Sequence, residues 1–258
     1  KQGSGSYVAP RPGQVPSIKT ERATTIAMVF PRFLSRYSHQ VVEAFMNGVA
    51  KAGLESIAYN VQFPEETETA SMRAIAESGV SGLALWIEHD NEPIRQLLIG
   101  LRESRFPVVL VDRYLKGLDV DCVTSNNEKV GYQLTSALIS RGHRRIAFAM
   151  LEQNPPLSVE ERLNGYRRAL EEASIPYDEG LVATQPYRLR DMSPTSALRL
   201  MASRDRPTAF LCIHDGVAKY LYNELSSLGH RIPEHLELAA VDDEHPPQVP
   251  RIPMLRLE

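Results

Sequence analysis

Cysteine is almost missing from this chain: Cys122 and Cys212 are the only two in 258 residues. Two isolated thiols cannot build a zinc cluster or a disulfide scaffold, which points to a reduced, cytoplasmic setting. No apolar run approaches the roughly 20 residues that a bilayer-spanning helix needs. The stretch Lys1–Pro16 is polar and lacks the apolar segment of a secretory leader. Charge of one sign does not dominate either. The formal net charge is −3 and the isoelectric point lies near 6.2, so these residues are not expected to form the main surface for nucleic acid. Catalytic signatures are absent as well. The chain has no G-x-S-x-G elbow, no G-x-x-x-x-G-K-[ST] loop, no G-x-G-x-x-G turn, no H-E-x-x-H pair and no C-x-x-C. No catalytic residue, cofactor or metal site is expected. What remains is a soluble balance of 43% hydrophobic and 24% charged residues, which excludes a disordered chain.

Residues 1–23 differ in character from the rest. Gly3, Gly5, Pro10, Pro12, Gly13 and Pro16 stand among small polar residues and read as a turn followed by a semi-stiff linker. From Thr24 onward, short apolar runs alternate with amphipathic stretches. The runs are Thr24–Phe30, Ser56–Val61, Gly82–Ile87, Val108–Arg113, Arg145–Met150, Thr208–His214 and Glu237–Asp242. Most are continuously apolar, as parallel strands covered on both faces should be. Between them, Val41, Val42, Phe45, Val49 and Ala52 share a helical face, as do Val130, Leu134, Ala137 and Leu138, and then Val159, Leu163, Tyr166, Leu170 and Ala173. Start signals agree: Ser158 with Glu161 forms a capping box, Ser193–Pro194 opens a helix, and Asn91 and Asp215 can cap the helices that follow them.

Alternating βα units predict an α/β protein with mostly parallel, doubly wound sheets. The units are too many for one small sheet. A break near Leu151–Pro156 suggests two lobes, and no internal repeat of 20–50 residues is visible.

Ligands of such sheets bind beyond the carboxyl ends of the strands. That rule selects Pro31–Tyr37 after the first run, Trp86, Glu88 and His89 after the third, and Asp112 and Arg113 after the fourth. His214–Asp215 and Asp242–Asp243 follow the last two. Carboxylates accept paired hydrogen bonds from adjacent hydroxyls, guanidinium donates two, and aromatic faces cover apolar C–H surfaces, so the set suits a small polyhydroxylated ligand. Each residue also has a structural reading. Asp215 can be a helix cap, His214 an interior histidine and Trp86 part of the core. Asp112 and Asp242 have the stronger positional claim, because a strand-end carboxylate is costly to bury without a partner. Gly142-His143-Arg144-Arg145 precedes a strand, at the opposite edge, and reads as a turn or surface element.

Several blocks together resemble the effector domain of the LacI/GalR transcriptional repressors over residues 24–258. They are Val111-Asp112-Arg113, Asn126-Asn127 with Gly131, and Gly142-His143-Arg144-Arg145-Ile146-Ala147-Phe148. Ser158 with Arg162, Gly165 and Tyr166 continues the pattern, as do Arg206–Phe210 leading to His214-Asp215, and Gly229, Ile232 and Pro233 leading to Val241-Asp242-Asp243. Gly3-Ser4-Gly5-Ser6-Tyr7-Val8 resembles the closing wing strand of a GntR-type winged helix, and the combination resembles AraR-like regulators.

The resemblance implies a two-lobed, periplasmic-binding-protein-like fold. Its divisions are a wing remnant over 1–9, a linker over 10–23, an N-lobe over 24–152 rejoined by 247–258, and a C-lobe over 153–246. It implies a cytoplasmic, homodimeric repressor with no membrane partner, sensing a small sugar such as a pentose and reaching operator DNA through a head upstream of Lys1. By position it assigns the effector contacts Phe33, Tyr37, Trp86, Asp112, Arg162, Tyr187, His214 and Asp242. Two departures stand out: His214 occupies a position where the family often has Asn, and Pro253–Glu258 replaces the usual P-P-L-T-T-V. The sequence is therefore expected to be a piece of a longer chain. The alternative is a periplasmic sugar-binding protein that serves a transporter.

Overall fold

The computed structural model describes residues 24–30, 36–61, 65–150, 155–184, 196–242 and 253–257. The first unit contains β1 (Thr25–Phe30), α1 (Arg36–Lys51), β2 (Glu55–Asn60), α2 (Glu65–Glu77), β3 (Gly82–Leu85), α3 (Glu92–Glu103), β4 (Val108–Val111) and β5 (Cys122–Val123). The second contains α4 (Asn127–Ser140), β6 (Ile146–Met150), α5 (Leu157–Glu172), β7 (Val182–Thr184), α6 (Ser196–Ala202), β8 (Ala209–Cys212), α7 (Asp215–Ser227), β9 (Glu237–Val241) and β10 (Leu255–Leu257). Every strand pair is parallel. The orders are β2-β1-β3-β4-β5 and, taken in the matching sense, β7-β6-β8-β9-β10. The two sheets therefore repeat one doubly wound order, although the sequence shows no internal repeat.

The expected lobe boundaries need correction. β6 pairs with β7 and β8, and β10 pairs with β9, so both belong to the second sheet. The chain crosses between sheets at Thr124–Asn126, after β5, and not at Leu151–Pro156. This crossing has no glycine or proline to mark it, and β5 is two exposed residues. The pattern also gave no sign of β7 or β10, each three residues long. The Gly3–Val8 wing, the linker and the Ser193–Pro194 helix start lie outside the described residues.

Alternation along β1 shows why its sheet needs helices on both sides. Ala27 and Val29 join Leu83, Leu85 and Leu110 on one face, under α2 and α3. Met28 and Phe30 join Ala84 and Trp86 on the other, where Val42 of α1 packs. Phe148, Phe210 and Tyr166 are fully buried in the second unit, each contributing roughly 1.5–3 kcal/mol on the usual scale for apolar burial. At the amino-terminal edge of the second sheet, the buried Glu237 carboxylate meets Arg141 Nε at 2.6 Å and His143 Nε2 at 2.8 Å. Burial alone would raise the pKa of Glu237, but Arg141 and His143 outweigh it and hold the carboxyl below its ordinary value. His143 of the Gly-His-Arg-Arg block, with Arg141 just before the block, thus clamps Glu237 at the edge away from Asp112 and Asp242.

Two expected caps also change. α5 is preceded by Pro156 in an extended conformation, with no side-chain cap, so Ser158 falls inside the first turn. The Glu161 carboxylate accepts from Tyr114 instead of closing a capping box. His214 caps α7, accepting from the Val217 N–H, while Asp215 is the first helical residue and pairs with Lys219 at 2.6 Å. There Asp215 complements the positive helix end. Asn91 does cap α3, accepting from Ile94 N–H at 3.0 Å.

Helices α4 and α5 cross in backbone contact. A Cβ built on Gly131 would stand 2.0 Å from the Arg162 carbonyl oxygen, and one on Gly165 would stand 2.0 Å from the Glu128 carbonyl oxygen. No rotamer change can relieve a clash with backbone. Gly131→Ala should therefore lower stability by about 1–3 kcal/mol, as overpacking does. Gly48→Ala, in α1 with open space around it, should raise stability by about 0.5–1 kcal/mol through helix propensity. Urea unfolding of both variants checks this, and equal effects at the two sites would contradict the packing argument.

Candidate functional site

Asp112 and Asp242 occupy equivalent places, immediately after the fourth strand of each sheet. Both are left-handed, with φ of 66° and 70°. Aspartate tolerates this region better than most side chains do. The conformation turns each carboxylate out of its strand direction at the sheet's carboxyl edge. β5 pins Asp112: its N–H donates to Val123 O at 2.8 Å, and its carbonyl accepts from the Thr124 hydroxyl at 2.9 Å. The inconspicuous strand thus fixes the main chain of the most prominent candidate residue.

Tyr37, in the first turn of α1, donates its phenolic proton to Asp112 Oδ1 at 2.8 Å. Burial, followed by the Asp112 charge and hydrogen bond, pushes the Tyr37 pKa far above its ordinary value, so it remains a donor. Trp86 stands edge-on to Tyr37, with ring centroids 5.6 Å apart. Only 9% of its surface is exposed, and it packs among Met28, Phe30, Val42 and Ala84. In this conformation the indole backs Tyr37.

Arg162, on α5, is held on two sides. Its Nε donates to Asn127 Oδ1 at 2.9 Å, and an Nη donates to the Ile213 carbonyl. Asn127 is itself buried at the start of α4, beneath the Asn126 cap, which accepts from Lys129 N–H. Burial lowers the Arg162 pKa, while the charges of Asp242 and Asp112 oppose the shift. A guanidinium stays protonated under such conditions. It therefore acts as a fixed cation that feels the charges of both strand-end carboxylates. Asn127 is a positioning residue that sequence reasoning assigned no role; its signal was the Asn126-Asn127 pair at a helix start.

His214 reaches this region as the cap of α7, with Arg162, Asp215 and Lys219 around it. Tyr37, Asp112, Arg162, His214 and Asp242 are thus brought together, and all are part-buried. Phe33 and Tyr187 lie outside the described residues.

A cavity of about 720 Å³ opens beside this cluster. Its walls come from Ile87–Asp90 after β3, Asp112–Lys116 after β4, and Pro155–Glu160 at the start of α5. The β3 and β4 loops are bolted together. Buried Glu68 accepts from Glu88 N–H at 3.1 Å and from His89 Nδ1 at 2.7 Å. Arg113 donates to Glu88 O at 2.9 Å, and Arg95 donates to Lys116 O while pairing with Asp90 through two 2.7 Å bonds. Tyr114 crosses to the second unit and donates to Glu161, a bond that, with burial, raises its pKa to about 12. This pairing was also missed: Tyr114 does not stand out in composition or spacing, and the spacing of Glu161 from Ser158 reads as a capping box instead. Among the described residues, no cluster of His, Cys, Asp and Glu could hold a metal ion.

Residues 135–254 match the family model of the periplasmic binding protein-like domain. The chain is 29% identical over 227 residues to the HTH-type transcriptional repressor PurR of Vibrio atlanticus (strain LGP32), covering 88% of this chain and 67% of that protein. The structure of the transcription regulator CcpA of Lactococcus lactis aligns with a TM-score of 0.73 and 27% identity, covering 85% of this chain and 78% of that one. A LacI-family regulatory protein from Chloroflexus aggregans aligns with a TM-score of 0.74 and 22% identity, covering 86% and 79%, and shows the shared fold. Residues 135–254 are thus similar to the periplasmic binding protein-like domain, and the relatives that the chain matches are transcriptional regulators. Among the described residues, no helix is long and apolar enough to cross a membrane.

His214 gives this site a pH signature. Burial lowers its pKa below the ordinary 6.5, with Arg162 and Lys219 adding to the shift and Asp215 opposing it. The folded chain therefore holds fewer protons here than the unfolded chain does. This contribution to stability is complete above 6.5 and is lost as pH falls towards the lowered value. His214→Asn, which keeps a capping side chain, should flatten the decline in stability between pH 7 and pH 5. The gain is about 1.4 kcal/mol for each tenfold difference in proton affinity that the substitution removes. Thermal melting across that range checks it, and an unchanged slope in the variant would remove His214 from the titration.

Proposed function

We propose that this chain is the effector-binding and dimerising part of a ligand-responsive transcription repressor that senses a small sugar. The observation that carries this reading is Arg162, a cation fixed by Asn127 and the Ile213 carbonyl within the field of Asp112 from one sheet and Asp242 from the other. A polyol that enters between them can accept from the guanidinium and donate to both carboxylates at once. Its binding would favour one relative arrangement of the two units. Such a ligand regulates only if it binds that arrangement more tightly than the one favoured by operator DNA. The wing-like Gly3–Val8 supports an upstream winged-helix head of the GntR type, in the AraR-like arrangement. The transporter reading has less support, since the relatives named above are regulators.

Thermal melting across pentoses, hexoses, oligosaccharides and nucleosides tests the reading. A cognate sugar at 100 times its Kd should stabilise the protein by about 2.7 kcal/mol. Arg162→Ala and Asp112→Asn should abolish that stabilisation while each variant still melts cooperatively. Trp86, the single tryptophan, should change its emission on binding because Tyr37 lies between it and Asp112. Wild-type affinity in both variants would remove the cluster from the binding site.

A homodimer completes the proposal, since two heads on a two-fold operator require one. Met46 on α1 and Ile57 on the neighbouring edge strand β2 are each 42% exposed, which favours this face as the contact. Sedimentation at tens of micromolar should show a dimer that Met46→Asp shifts towards monomer. A wild-type monomer in the full-length protein would contradict it.

A further inference from the structure

The polar cluster and the cavity have one residue in common. Asp112 belongs to both, whereas Tyr37, Arg162, His214 and Asp242 are absent from the cavity walls. The cleft therefore has two compartments that meet at Asp112. At about 720 Å³, the second is within the ~300–1,000 Å³ range of pockets that enclose drug-sized ligands. That is more room than a lone pentose ring fills, and it adjoins the polar cluster without replacing it.

The chemistry of the walls narrows the occupant. Glu88, Asp90, Asp112 and Glu160 line the space against Arg113 and Lys116. The excess of carboxylates repels an anionic ligand. Asp90 is already paired with Arg95, and His89 with buried Glu68. The Glu88 side chain is exposed on the wall, while its own N–H and carbonyl are the atoms bonded to Glu68 and Arg113. Its carboxylate is thus an acceptor on a rigid support. Ser158, in the first turn of α5, adds a hydroxyl from the opposite wall, and Tyr114, Pro155 and Pro156 offer flat apolar surfaces beside it. Carboxylates and a hydroxyl alternating with flat apolar surface suit a second neutral sugar ring.

We propose that the effector is a neutral disaccharide or longer oligosaccharide. One sugar unit sits at the Asp112–Arg162–Asp242 cluster and the next in the adjoining cavity, where Glu88 determines length specificity. The proposal rests on the sugar-sensing reading above and puts a longer ligand in place of the pentose that the sequence resemblance implies.

Calorimetry on the full chain with matched probes tests it: xylose and xylobiose, arabinose and arabinobiose, glucose and cellobiose, galactose and lactose, and glucose 6-phosphate. At least one disaccharide should bind about tenfold or more tightly than its own monosaccharide, a modest pair of added contacts. Glu88→Ala should cut that disaccharide-to-monosaccharide ratio about tenfold, since it leaves the backbone bonds of the loop intact. Asp112→Asn should weaken both members of the pair. Sugar binding in which no disaccharide exceeds its monosaccharide, preference for glucose 6-phosphate over glucose, or an unchanged ratio in Glu88→Ala would each overturn the inference and leave sugar sensing standing. No heat from any sugar would overturn both.

Discussion

A guanidinium that cannot release its proton, placed where water is scarce, imposes conditions on everything around it. Arg162 meets them with an amide from α4, a backbone carbonyl after β8 and two carboxylates from different sheets. Each condition in turn fixes a piece of main chain. Asn127 must begin its helix where it does, which Asn126 secures by capping it. α5 must lie close enough to α4 for the arginine to reach, which the glycines at 131 and 165 permit by letting two backbones touch. The polar cluster is therefore a product of helix packing as much as of strand ends.

The two sheets bring equivalent elements to the cleft. Their fourth strands end in left-handed aspartates, and their third strands lead into Trp86 on one side and His214 on the other. Equivalent positions carry complementary chemistry: the first unit supplies an aromatic pair and a carboxylate, and the second supplies a cation, an imidazole and a carboxylate. Under the proposed sugar-sensing reading, that difference would help to orient a ring with a C–H side and a rim of hydroxyls.

Much of this was legible in the sequence. Continuous apolar runs gave the longer strands of both sheets, because a strand covered on two faces has no polar side to interrupt it. The strand-end rule located Asp112 and Asp242 without any homology. The short strands were not legible: Cys122–Val123 and Leu255–Leu257 are held by ladders to a neighbour, and a pattern of two or three residues has no period to detect. Missing them displaced the lobe boundary. The capping box at Ser158 failed for another reason. Its sequence spacing is correct, but Glu161 bonds a tyrosine brought in from the other sheet, a partner that local pattern cannot foresee. Trp86 was placed correctly at the strand end, yet its packing against α1 depends on the aromatic neighbour that Tyr37 provides.

Among the described residues the chain crosses between sheets once, which also bears on how it assembles. The ladder of the first sheet closes at Val123, before the second sheet begins at Ile146. Among the described residues, each sheet's pairings are therefore drawn from its own part of the chain. A ribosome releasing residues in order would expose the described strands of the first sheet before those of the second, so these two ladders need not compete for one another's edges during synthesis. The α4–α5 glycine contact and the Asn127–Arg162 bond would be made only later, once α5 has emerged. The cation that organises the cleft would thus arrive after the carboxylate of Asp112 is already in place.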